Sequence, residues 1–229
     1  MKQKIVVTLW LIICQGISVK AQQNMISNSS GYLNSFTLEK GRQPDKERYQ
    51  NIDNSPYLDT EWRNGMLKLR GGKVFENQEL KFNTYENKIE YLLDQKTFEL
   101  TVAVEEFGWD KKAENYGVLF RVESKLIENG NAQVFYQVLS DGKIKLLKQV
   151  KTTIKTVPDP IALGLEKKEF SNSESYFILN KGIITKVKKD KKSIVEAINQ
   201  TNLQELINKK DTKFNNWESI KELIDEVGK

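Results

Sequence analysis

The segment Val134–Val150, VFYQVLSDGKIKLLKQV, decides how this chain folds. Val134, Tyr136 and Val138 recur with a period of two, and Ile144 and Leu146 resume that period beyond Ser140–Lys143. Such a period marks a strand with one buried face, because successive side chains leave a pleated backbone on opposite sides. The SDGK between the runs places Asp141 and Gly142, which tolerate positive backbone angles, where a two-residue type I′ turn needs them. An antiparallel hairpin is predicted.

The alternation extends outward from this hairpin. Upstream lie Leu67 and Leu69, then Leu80 and Phe82, then Ile89, Tyr91 and Leu93, and later Val118, Phe120 and Val122. The cleanest case is Phe98, Leu100, Val102 and Val104, with Glu99 and Thr101 on the opposite face. Downstream follow Tyr176 and Ile178, then Ile183 and Val187, for about nine strand candidates in all. Turn signals separate them at Arg70–Lys73 (with the pair Gly71 and Gly72), Glu86–Lys88 and Glu128–Asn131, while Pro158 and Pro160 mark Val157–Glu169 as a longer loop. With no helical crossover between strands, residues 65–189 are predicted to form a mainly β domain, an antiparallel meander closing into a barrel or folding into a sandwich.

Beyond Lys189 the period changes to that of a helix. Asp190 is placed to cap a helix bearing Ile194, Val195 and Ile198; Thr201 and Gln204 resemble a capping box ahead of Leu203, Leu206 and Ile207. Asn215 and Glu218 do the same for a stripe of Trp217, Ile220, Leu223, Ile224 and Val227. Residues 190–229 are therefore expected to form a small helical cluster packed on the sheet, its stripes being core or a docking surface for a partner protein. Residues 22–64, polar with scattered apolar side chains such as Leu33, Phe36 and Leu38, read as an irregular or extended lead-in.

The first residues carry an export signal. Lys2 and Lys4 precede an apolar run from Ile5 to Cys14, broken only by Thr8, and ISVKA at Ile17–Ala21 offers Val19 and Ala21 to a signal peptidase. The apolar run is too short for a transmembrane helix, which needs about 20 such residues. Cys14 follows Ile13, where lipoprotein processing requires a small residue, so residues 1–21 are expected to be a cleaved signal peptide.

Cleavage changes the chemistry available. It removes Lys2, Lys4 and Lys20 and no acid, lowering the formal charge from +5 to +2 and leaving no basic footprint for nucleic acid. The single cysteine, Cys14, leaves as well, and the chain has no histidine. Disulfides, thiol or imidazole catalysis and zinc sites of the usual ligand set are thereby excluded from the mature chain. No Asp-rich calcium loop, phosphate loop or dinucleotide fingerprint is present, so neither metal nor cofactor is expected.

The stretch Ser55–Asp94, SPYLDTEWRNGMLKLRGGKVFENQELKFNTYENKIEYLLD, taken with Val134–Val150, resembles an uncharacterised group of exported proteins from Bacteroidetes. The shared features are a tryptophan and glycine ahead of the first strand (Trp62, Gly65), a strand bearing Leu80 and Lys81 followed by Asn83, and a lysine-rich helical tail from Asp190. The resemblance implies the periplasm or cell surface of a Gram-negative bacterium and supplies no activity.

Candidate functional residues are few. Tyr57, Trp62 and Trp109 can line a binding surface for glycan or peptide, although an aromatic at Trp62 also suits plugging a barrel end. The five lysines from Lys143 to Lys155, among them Lys145, have no acid between them and suit an anionic outer-membrane surface, or simply a solvated strand face. Trp217 belongs to the apolar tail stripe. Glu105, Glu106 and Asp110 beside Trp109 form the densest carboxylate and aromatic grouping, as a glycan hydrolase would need. Neighbouring glutamates in a regular strand point to opposite faces, which opposes that use. The reading that results is an exported, non-catalytic binding or scaffold module, with a carboxylate-dependent glycan hydrolase as the alternative.

Overall fold

The computed structural model describes residues 41–45, 47–112, 115–123, 134–162, 164–201 and 203–229. The expected signal peptide, Cys14 and the turn at Glu128–Asn131 lie outside them. Within them the fold is mainly β, with eleven strands in one sheet: β1 (Ile52–Asp53), β2 (Arg63–Leu69), β3 (Val74–Asn83), β4 (Lys88–Leu93), β5 (Lys96–Glu99), β6 (Val104–Lys112), β7 (Asn115–Val122), β8 (Phe135–Asp141), β9 (Ile144–Pro158), β10 (Glu166–Asn180) and β11 (Ile183–Val187). Every pairing is antiparallel except the short β1–β10 contact.

The strand order β1-β10-β9-β8-β7-β6-β2-β3-β4-β5, with β11 also paired to β10, departs from a simple meander where β1 joins β10 and again where β6 joins β2. β6 pairs with β2 and not with β5, so the chain crosses from one edge of a four-strand unit to the other. The crossing is made by residues 100–103, which the alternation assigned to a single strand. Phe98, Leu100, Val102 and Val104 do share the core side, as their period requires, but the backbone between them pairs at its ends with different neighbours: Leu100 N–H donates to Ile89 C=O at 2.9 Å, and Arg70 N–H to Ala103 C=O at 2.9 Å.

Among the described residues the sheet does not close into a barrel. It curls instead, so that strands far apart in the order face each other. Phe82 of β3 lies 5.7 Å from Phe135 of β8, ring centre to ring centre, and both pack with Phe107 and Phe120. Thr84 and Thr152 are fully buried and share a 2.6 Å hydrogen bond that ties the β3–β4 turn to β9. Gly65 lets β2 and β6 approach within this curl, since a Cβ there would meet the Gly108 carbonyl oxygen at 2.2 Å.

The founding hairpin forms as expected, for a different reason at its turn. Gly142 does not take a positive φ; a Cβ on it would sit 2.9 Å from the carbonyl oxygen of Gly228, to which Lys143 N–H donates at 3.0 Å. The glycine makes room for the end of the last helix. Gly71 and Gly72, by contrast, occupy the left-handed region that the β2–β3 turn requires, with φ of 111° and 89°. The Pro158–Pro160 loop is shorter than predicted, because β9 and β10 each run 15 residues. Their outer halves are polar but rich in β-branched residues, Thr152, Thr153, Ile154, Thr156 and Val157, which suit an extended ribbon.

Three helices follow the sheet: α1 (Lys191–Ile198), α2 (Leu203–Lys210) and α3 (Trp217–Val227). Asp190 caps α1 by accepting from Ser193 N–H at 2.8 Å; α3 is capped by Asn216, one residue beyond the expected Asn215. Ile194, Ile198, Leu203, Ile207, Ile220, Leu223 and Ile224 bury their stripes against Ile144, Leu146, Ile178 and Val187 of the sheet. No helix among the described residues is long and apolar enough to cross a membrane.

Candidate functional site

The site forms where the lead-in crosses the outer face of β3, β4 and β5. Since Leu80, Phe82, Ile89, Tyr91 and Phe98 turn inward, the pleat sends Lys81, Glu90 and Glu99 to the other side, and the register aligns them: Lys81 opposite Glu90, and Glu90 opposite Glu99. A row of charge this regular reads as solvated. In the folded chain it is covered by Arg42, Arg48, Tyr57 and Trp62 of the lead-in, and Glu90 and Glu99 are only 2% and 3% exposed.

Covering a charge is costly unless it is paired and hydrogen-bonded. Arg48 meets that need by reaching both acids, one guanidinium nitrogen on Glu90 and another on Glu99 at 3.4 Å. The Tyr57 hydroxyl lies 3.1 Å from both Glu90 oxygens and donates to that carboxylate. Lys88 bonds Glu99 at 2.7 Å and Glu86 at 3.0 Å, and Arg42 reaches Glu99 from the exposed side. Tyr49 donates to Glu86 at 2.7 Å and accepts from Asn83 at 2.7 Å. Its ring packs edge-on against Phe170 and Tyr85, which fixes the lead-in against β10.

The titration behaviour follows from this pairing. Burial alone would discharge Arg48, yet its bond to Tyr57 and the charge of Glu90 hold it protonated and raise its pKa further. Burial would also raise Glu86, but the bonds from Tyr49 and Lys88 and the charge of Arg48 prevail and lower it. Burial pushes the Tyr57 hydroxyl up, and the Glu90 charge adds to it, so Tyr57 stays a donor.

Beside the network opens a cavity of about 720 Å3, lined by Gln43, Asp45, Arg48, Tyr57, Trp62, Lys81, Glu90, Gln95, Lys96 and Thr97, with Pro44 and Tyr49. Two aromatic walls, Tyr57 and Trp62, flank Lys81, whose ammonium lies 5.0 Å from each ring centre. Polar groups from three strands and the lead-in surround them.

Of the residues singled out from sequence, Tyr57 and Trp62 are brought together here, and Trp62 lines the cavity without plugging a barrel. Trp109 is elsewhere, buried in the aromatic core beside Phe107 and Phe120. Trp217 stacks on Tyr176 at 3.7 Å and packs α3 to β10. Lys143 is exposed at the hairpin turn, while Lys145 is ion-paired with Glu123 and Asp141.

The carboxylates Glu105 and Glu106 stand on β6, where a bulge at the β2 pairing overturns the opposite-face expectation. Glu105 accepts from Lys68 at 2.7 Å, and Glu106 from Arg121 at 2.6 Å, on the side that Lys68 and Arg121 share in register with Glu106. Arg121 continues to Asp141, so these acids belong to a surface ion-pair ladder. Asp110, farther along the strand and exposed, is outside that ladder, and none of the three lines the cavity.

Arg48, Lys81 and Glu90 carry the site, and sequence reasoning passed over their role. The available signal was the density of Tyr49, Tyr57 and Trp62 in an otherwise polar lead-in. No family model, curated protein or solved structure matches this chain.

Proposed function

We propose that this is an exported, non-catalytic binding protein of a Gram-negative cell envelope whose cavity takes a saccharide. The observation that carries the reading is the pairing of two aromatic walls, Tyr57 and Trp62, with convergent polar groups in one open cavity. A sugar offers a flat face of C–H groups and a rim of hydroxyls, and needs both kinds of partner. Gln43, Asp45, Gln95 and Thr97 supply amide, carboxylate and hydroxyl groups around the rings. Export is supported by the basic start, apolar run and small residues of Met1–Ala21.

Binding without catalysis is supported by the state of the acids. Glu90, the buried carboxylate at the cavity, pairs with Arg48 and accepts from Tyr57, so its oxygens are engaged by the protein's own side chains. The test is a screen of the secreted protein against immobilised envelope and plant glycans, with Trp62→Ala as control. Saccharide binding that falls at least about tenfold in Trp62→Ala, with an unchanged melting curve, is expected. Binding to no glycan, or binding that Trp62→Ala leaves intact, would overturn the proposal.

A further inference from the structure

We infer that the saccharide taken by this cavity is an anionic one, carrying a carboxylate such as that of a uronic acid, and that Lys81 is the residue that selects it. The inference rests on the saccharide reading above and narrows its ligand class. It comes from asking which charges around the cavity are already spent. Five charged side chains of both signs line it: Asp45, Arg48, Lys81, Glu90 and Lys96. Arg48 and Glu90 neutralise each other, while the exposed Asp45, whose carboxylate accepts from Glu47 N–H at 2.9 Å, keeps its charge, so that with the two lysines the wall carries one net positive charge.

The two lysines are different. Among the described residues neither Lys81 nor Lys96 is held in an ion pair, and the Lys81 ammonium is suspended between two aromatic rings. Its register neighbour Glu90 bonds Arg48 and Tyr57 instead. The half-buried Lys81 is thus a cation on the cavity wall whose ammonium lies against two aromatic faces. A carboxylate on a sugar seated by Trp62 completes that partnership, and Lys96 at the rim adds a second attraction. Lys81 also occupies the position between the rings that a cationic ligand would take, which excludes amino sugars and quaternary ammonium groups.

The geometry makes the prediction one of matched pairs. The ligand panel is a set of uronic-acid oligosaccharides, each compared with its carboxyl-reduced counterpart, which keeps the ring and hydroxyls and removes the charge. Calorimetry on the secreted full-length mature protein should show the acidic members binding at least about tenfold more tightly than the reduced ones, with affinity falling as salt is raised. Lys81→Gln should erase that difference while Lys143→Gln, on the far hairpin, leaves it unchanged. Equal binding of acidic and reduced sugars would overturn the anionic inference and leave the saccharide reading standing. Binding of neither would overturn both, and equal binding of a simple carboxylate such as tartrate would overturn the saccharide reading and with it the uronic-acid assignment, leaving only a carboxylate site at Lys81. A Lys81→Gln variant that still prefers the acids would remove Lys81 from the role; Lys81→Arg, which retains charge and folding, should keep the preference.

Discussion

The two halves of the sheet bury their apolar face by different means. From β2 to β7 the sheet covers itself by curling, and rings, among them Phe75, Phe82, Phe107, Trp109 and Phe120 with Phe135 from the start of β8, pack there with aliphatic side chains such as Leu67 and Leu80. From β8 to β11 three helices do the covering, and the filling is aliphatic, Ile144, Leu146 and Ile178 against Ile194, Ile207, Ile220 and Leu223. Flat rings can stack and cross between converging strands, as Phe107 does on Phe120 at 4.9 Å, whereas branched side chains interdigitate with helix ridges. The outer faces differ more. In the curled half an irregular segment lies over charged residues and leaves a cavity, so the site arose where regular structure did not do the covering.

The largest expected effect tests the ring-filled core. Phe107→Ala, at a position with no exposed surface, should cost about 4 kcal/mol in urea unfolding, and Leu223→Ala in the helical half about 3 kcal/mol. Because β7 and β8 are hydrogen-bonded across the boundary, both variants should unfold in one transition. Separate transitions for the aromatic fluorescence and the helical signal would show that the comparison describes two independent units.

Next comes the covered charge. Arg48→Ala leaves Glu90 and Glu99 buried without their common partner and should cost about 3 kcal/mol, while breaking the exposed Lys148–Glu174 pair of the other half by Lys148→Ala should cost under about 0.5 kcal/mol. Acid sharpens the same contrast. The pKa of Glu86 is lowered from its ordinary 4.5 in the folded state, so its stabilisation is present above that value and lost as pH falls through the folded one. Stability should decline in that acidic window, and Glu86→Gln should make the decline shallower. An unchanged slope would show that the Glu86 pairing contributes nothing to acid sensitivity.

The smallest effect is confined to the helical half. Asp190→Ala removes the cap of α1 and should cost about 1 kcal/mol, largely restored by Asp190→Asn. Saccharide binding at the distant cavity should be unaffected in both.

Much of this fold was legible in the chain. The hairpin at Val134–Val150, the turn at Gly71–Gly72, the helical stripes and the capping role of Asp190 depend on near neighbours in sequence and follow from local periodicity. The crossing at residues 100–103 was not legible, because alternation reports which face a residue occupies and is silent on which strand it pairs with. Gly142 shows the same limit: its type suggested a turn angle, and its reason is the approach of Gly228, 86 positions away. At the site, Tyr57 and Trp62 stood out as aromatics, whereas Glu90 and Lys81 looked like ordinary residues of a solvated strand face.

By itself the sequence determined most of the strands, though not β1 or β6, the helices, their inward faces and the imidazole chemistry that a chain without histidine has to forgo. Those are properties of composition and period, carried by residues close together along the chain. The tertiary structure alone decided that Arg42, Arg48, Tyr57 and Trp62 of the lead-in fold back over β3, β4 and β5, since nothing in a polar segment says where it will lie. That placement excluded water from Glu90 and Glu99, called in Arg48 to neutralise them, and set Trp62 and Tyr57 around the Lys81 ammonium. Burial gives a charged residue its meaning, and burial is settled only when distant parts of the chain meet.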